Sequence, residues 1–190
     1  MPRLLHVIVA SLREQAAPAA LTRATGLANR LSTAEGAEGV LVGHSDGHLV
    51  AATWLTGPAA LEPFAASAPH MEFVMRGIAP VTTRIWSATV ETDSAPASGD
   101  NSSVLWAFAL HAREGVFAWQ VSQLLAEIDT LPGNASAGPT VEERERFRAA
   151  GVVCLDDGQS EIFERTLVEA LPRWTELTGA VESALVPVLR

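Results

Sequence analysis

The chain has 190 residues, 48% of them apolar, and a formal net charge of −9. That length allows one large domain or two small ones with ample core material, and the acidity argues against nucleic acid or an anionic membrane surface as a partner. Lysine and tyrosine are both absent, which excludes Schiff-base chemistry, a phosphate-loop lysine and a phenolic acid; five histidines and the carboxylates remain for proton transfer.

The charge is uneven: residues 1–95 carry 6 Arg and 8 acids, residues 96–190 carry 7 Arg and 14 acids. One cysteine, Cys154 in "GVVCL", excludes an intrachain disulfide and a cysteine-rich zinc site, and fits a buried inert thiol in a cytoplasmic protein. Runs such as "VIVA" are too short to cross a bilayer, so no membrane span is expected. The N-terminal "MPRLLHVIVASLRE" reads as a first strand and not as a signal peptide.

In chain order, "LLHVIVASL" predicts a strand. "PAALTRATGLANRLST" predicts a helix, with Leu21, Leu27 and Leu31 at helical spacing and Pro18 near its start. "GVLVGHSDGHLVAATWL" predicts two strands about an Asp46-Gly47 turn. A helical region broken by Pro63 and Pro69 follows, and "VTTRIWSATVE" predicts a strand. "ETDSAPASGDNSS" lacks periodicity and places a linker at 94–103, between repeats at 1–93 and 104–190. Beyond it "VLWAFALHA" predicts a strand and "GVFAWQVSQLLAEIDTLPG" a helix stopped by Pro132-Gly133. A vaguer strand in "ASAGPTVEERE" precedes a firm one in "FRAAGVVCLDD". A helix capped by Ser160 and a closing strand in "AVESALVPVL" complete the order.

Both halves therefore read β-α-β-β-α-β, and "LHVIVASLRE" (5–14) aligns without gaps on "LWAFALHARE" (105–114). The expected class is α+β, with tandem ferredoxin-like βαββαβ repeats. Each sheet carries helices on one face only, so two such sheets can cover each other as a fused α/β-barrel. The space between them is the expected ligand site, with imidazoles of the first repeat projecting into it.

His6 shares a strand face with Ile8, Ala10 and Leu12; His48 shares one with Val50, Ala52 and Trp54. In "HSDGH", a two-residue loop sends His44 and His48 to opposite faces, whereas a three-residue loop would let them chelate; no metal site is assigned. His111 is expected at an exposed strand end. Trp54, Trp86, Trp106 and Trp119 are expected as core filler, some also lining a cavity for a flat, apolar ligand.

"LLHVIVASL", "GHLVAATWL" and "APHMEFVMRGIAPVTTRIWSATVE" together resemble the stress-responsive dimeric α/β-barrel (Dabb) family over residues 3–91. The resemblance places His6, His48 and His70 at the family's histidine positions. Where members carry a His-Pro-Ala-His-like segment, this chain reads Ser67-Ala68-Pro69-His70. It implies a cofactor-free enzyme of the plant polyketide-cyclase (olivetolic acid cyclase) type. His70 is then the general base, His6 and His48 its companions, and Phe64, Trp54, Ile8 and Phe73 the wall around a small apolar or aromatic molecule. Phe64 stands where that type has a helper tyrosine. The second half lacks these histidines, Trp106 matching His6, and reads as a degenerate copy. The alternative is a non-enzymatic binding or stress-related barrel, compatible with a homodimer. An antibiotic-biosynthesis-type monooxygenase, or a haem binder with His70 as axial ligand, comes behind it.

Overall fold

The computed structural model describes residues 2–96, 102–111, 115–141 and 147–189. The expected order of elements is present. The first half contains β1 (Arg3–Leu12), α1 (Pro18–Asn29), β2 (Ala37–His44) and β3 (His48–Leu55), then α2 (Leu61–Ala66), α3 (Ala68–Glu72) and β4 (Thr82–Thr92). The second contains β5 (Ser102–His111), α4 (Ala118–Ile128), β6 (Asn134–Pro139), β7 (Phe147–Asp156), α5 (Ser160–Thr178) and β8 (Val181–Pro187). The fold is α+β, with two four-stranded antiparallel sheets ordered β2-β3-β1-β4 and β6-β7-β5-β8. Among the described residues no helix is long and apolar enough to cross a membrane.

The central strands are apolar on both faces because each face has a layer to meet. From the first sheet, Leu5, Val7, Val9, Trp54 and Trp86 meet Leu105, Ala107, Val152 and Cys154 of the second in one buried cluster. The opposite face of β1, with Leu4, Ile8 and Ala10, packs under α1, Phe64 and Phe73. In the second repeat Trp106, Phe108 and Leu110 pack in the same way under Leu124, Phe163 and Trp174.

The sheet edges join. The Leu189 N–H donates to the Val42 carbonyl (2.8 Å) and the Val141 N–H to the Thr89 carbonyl (3.0 Å), with single bridges Gly43–Val188 and Val90–Thr140. These contacts close the two sheets into an eight-stranded barrel and satisfy backbone groups that open edges would expose. A glycine permits each approach. A Cβ on Gly43 would lie 2.5 Å from the Pro187 carbonyl oxygen, and one on Gly138 would lie 2.0 Å from that of Glu91. The two glycines hold equivalent register positions, opposite Val50 and Ala150.

Several expectations are revised. Gln159, not Ser160, is the residue before α5; its side-chain Oε1 accepts from the Asp156 N–H (2.9 Å). Trp119 is exposed, because its position on α4 faces away from the sheet. His111 is largely covered. Its Nε2 lies 2.8 Å from Glu182 Oε1, which also accepts from Arg84 Nη2 (2.6 Å), so an ionic contact ties β4 to β8 across the layers. The vaguer strand is real as β6, but residues 142–145 of it lie outside the described residues.

Candidate active site between the first sheet and its helices

The site begins with a proline. Pro69 has no N–H, so α2 cannot run on as a regular helix and the Ala65 carbonyl loses its expected partner four residues on. The chain breaks at Ser67, whose hydroxyl caps α3 by accepting from the His70 N–H (3.4 Å). The His70 ring turns back and places Nδ1 3.0 Å from the Ala65 oxygen. A carbonyl only accepts, so Nδ1 of His70 carries a proton and Nε2 of the neutral ring bears the lone pair.

His6 comes from the centre of β1. Its direct cross-strand neighbours are Thr53 on β3 and Thr89 on β4, both buried, and its Nδ1 lies 2.9 Å from Thr89 Oγ1. The two imidazoles meet edge to face with centroids 5.8 Å apart. Phe64 touches both, at 5.7 Å from His6 and 5.0 Å from His70. His6, Phe64, Ala65, His70 and Thr89, with Leu61 and Glu62 at the rim, line a cleft of about 390 Å³.

Both histidines are held neutral. Burial, reinforced by the charge His70 would carry, lowers the His6 pKa to about 4. Burial also lowers that of His70, with the Ala65 carbonyl opposing the shift. A neutral imidazole with a free Nε2 beside an apolar wall is equipped to accept a proton from carbon next to a carbonyl group.

The structure thus brings together His6, His70 and Phe64 and separates the other expected site residues from them. It also corrects the expected location: His6 and His70 project toward the helices and not between the sheets. His48 pairs with Ser11, five residues along β1 from His6 and on the opposite face. Its strand face is that of Val50, Ala52 and Trp54, the face that packs on the second sheet. Trp54 is buried there, and its indole N–H has no acceptor among the described residues. Ile8 and Phe73 lie in the core beneath the cleft without lining it. The hairpin pairs His44 with Leu49, and Ser45 N–H donates to the His48 carbonyl (2.8 Å), so the loop has two residues and the two histidines diverge. Sequence reasoning missed Thr53 and Thr89. A threonine in a buried strand looks like ordinary β-branched filler until its cross-strand partner is known.

The second repeat offers an internal comparison. At the positions of His6, Thr53 and Thr89 the register places Trp106, Val153 and Leu185. Trp106 stacks on Phe108 (4.6 Å) and abuts Phe163 (5.3 Å), filling the space with rings. A larger hollow of about 470 Å³ lies elsewhere in that repeat, near Val121, Leu125, Val141 and Arg148. Its described lining contains no residue able to exchange a proton near neutral pH.

No family model matches the chain, and no curated protein matches it. Solved structures do. An anthrone oxidase-like protein aligns with 99% of this chain and 92% of its own at 14% identity, with a TM-score of 0.70. A candidate monooxygenase from Fusobacterium nucleatum covers 100% of this chain and 93% of its own at 13% identity, TM-score 0.63. A Dabb family protein with a ferredoxin-like fold from Mesorhizobium loti aligns with 47% of this chain and 95% of its own, at 17% identity and TM-score 0.41. At these identities the full-length likenesses speak for fold: the chain has the architecture of a two-repeat dimeric-type α/β-barrel.

Proposed function

We propose that this protein is a cofactor-free enzyme that removes a proton from carbon α to a carbonyl in a small, mostly apolar or aromatic molecule. His70 Nε2 takes the proton, and the enolate forms beside His6. In a reaction of polyketide-cyclase type the enolate carbon then attacks a second carbonyl of the same molecule, and the proton returns to the resulting alkoxide. The observation that carries this reading is the His6–His70 pair. Each Nδ1 has a protein partner, both rings line one cleft, and the positions equivalent to His6, Thr53 and Thr89 in the second repeat hold Trp106, Val153 and Leu185. On the polyketide-cyclase resemblance Phe64 stands where a helper hydroxyl would be; it has no hydroxyl and touches both rings, so in this reading His6 is the group left to assist.

The likeness to an anthrone oxidase-like protein raises a second fate for the same enolate, capture by dioxygen. Hydrogen–deuterium exchange in D2O, at the α-carbon of 2-tetralone and at C10 of anthrone, whose proton is acidified by the carbonyl through the ring, tests the shared step without assuming either fate. We expect enzyme-accelerated exchange that falls on the order of 10²-fold or more in His70→Gln. Oxygen consumption with anthrone would favour the oxidative fate, and its absence the cyclising one. Binding with no exchange above the uncatalysed rate would leave a carrier or sensor and overturn the enzymatic reading.

A further inference from the structure

Thr89 is 2% exposed and belongs to a polar row whose counterparts in the second repeat are Trp106, Val153 and Leu185. Burying hydroxyls in an apolar layer is unfavourable unless they find partners. In the second repeat the three positions are apolar together; in the first they are His and two Thr together. Of the two hydroxyls, that of Thr89 meets the imidazole, 2.9 Å from His6 Nδ1. The barrel seam fixes the same residue from the other side: the Thr89 carbonyl accepts from Val141 N–H of the second repeat (3.0 Å).

A threonine hydroxyl can either donate to an imidazole nitrogen or accept from one. Its choice decides which nitrogen of a neutral ring carries the proton, and hence whether the ring shows the cleft a donor or an acceptor. His70 already supplies the acceptor, because the Ala65 carbonyl binds its Nδ1 proton. A second acceptor would leave the developing enolate oxygen without a donor. A donor aimed at that oxygen is the element such sites use to stabilise charge that appears only in the transition state.

We propose that Thr89 is a positioning residue. Its hydroxyl donates to His6 Nδ1 and holds the ring with its proton on Nε2, directed at the carbonyl oxygen whose α-proton His70 removes. The balance is simple: the C–H electron pair passes to the enolate oxygen, the proton passes to His70 Nε2, and His6 keeps its proton throughout. Both the tautomer and its catalytic use rest on the function proposed above; the His6–Thr89 contact does not.

The test is a long-range ¹H–¹⁵N spectrum of the full-length chain labelled at histidine, at pH 7, with His6 assigned by its loss in His6→Gln. We expect His6 as the Nε2–H tautomer, a mixed or Nδ1–H tautomer in Thr89→Val, and the wild-type pattern in Thr89→Ser. Exchange on 2-tetralone is expected to fall roughly 10- to 100-fold in Thr89→Val, mainly in kcat, and to recover in Thr89→Ser. An Nδ1–H tautomer for His6 in the wild type overturns the assignment, and that measurement needs no Thr89 variant to fold. An unchanged tautomer in a folded Thr89→Val overturns it as well. Full exchange in His70→Gln sinks the function instead, whatever the His6 spectrum shows, so the two failures are separable.

Discussion

Two imidazoles share a cleft, and the protein treats them differently. His70 sits on a short helix at the mouth; His6 sits on the middle strand, under Phe64 and between two threonines. Because burial lowers both pKa values, acid works against the fold. An unfolded histidine takes up a proton near pH 6.5, whereas folded His6 resists until about pH 4. Between those values the unfolded chain binds more protons, so stability falls as pH drops from about 6.5 to 4. It levels off for this residue above and below that window. The His6 share is at most about 3 kcal/mol. Urea unfolding at pH 7 and at pH 4.5 reads it: the wild type is expected to lose more stability between the two than His6→Gln does.

At the scale of elements, the break between α2 and α3 is what aims the His70 ring. Pro69 leaves the Ala65 carbonyl open, and the ring of His70 occupies it. Pro69→Ala restores a backbone N–H that competes for that oxygen. We expect proton exchange to fall about tenfold through loss of ring orientation, while the melting temperature holds or rises, since a regular helix gains a bond. A loss of activity that tracked a loss of stability would contradict this account. Much of this region was legible beforehand. The prolines marked the break, Asp46-Gly47 marked the hairpin, and β-branched runs marked the strands. Which histidines meet was less legible, because it depends on register. His6 and His48 both lie on strand faces that are otherwise apolar, yet β1–β3 pairing puts Ser11, not His6, opposite His48. A one-residue difference in pairing would have reversed the faces, and nothing local in either strand sets it. Burial of His111 was equally hidden, since its carboxylate partner lies 71 residues away.

At the scale of the whole molecule, the layer between the sheets is an apolar core. Leu5, Val7, Val9, Trp54 and Trp86 need the second sheet to cover them. Residues 1–93 produced alone would expose that face, a patch well beyond what a monomer normally carries. Size-exclusion chromatography is expected to show the isolated half as a self-associated or aggregated species, with the intact chain eluting sharply. A well-behaved monomeric half would mean the inter-sheet core contributes little to the fold.

The seam glycines, Gly43 and Gly138, keep matching places in the two repeats, while the clefts above them have parted company. In a barrel assembled from two identical polypeptides every substitution arrives twice, so a tryptophan that plugs one recess plugs both. A single polypeptide that carries both layers escapes that rule. One half can trade reactivity for rigidity and serve as the other's foundation, which is the division of labour that Trp106 and His6 display on the function proposed here.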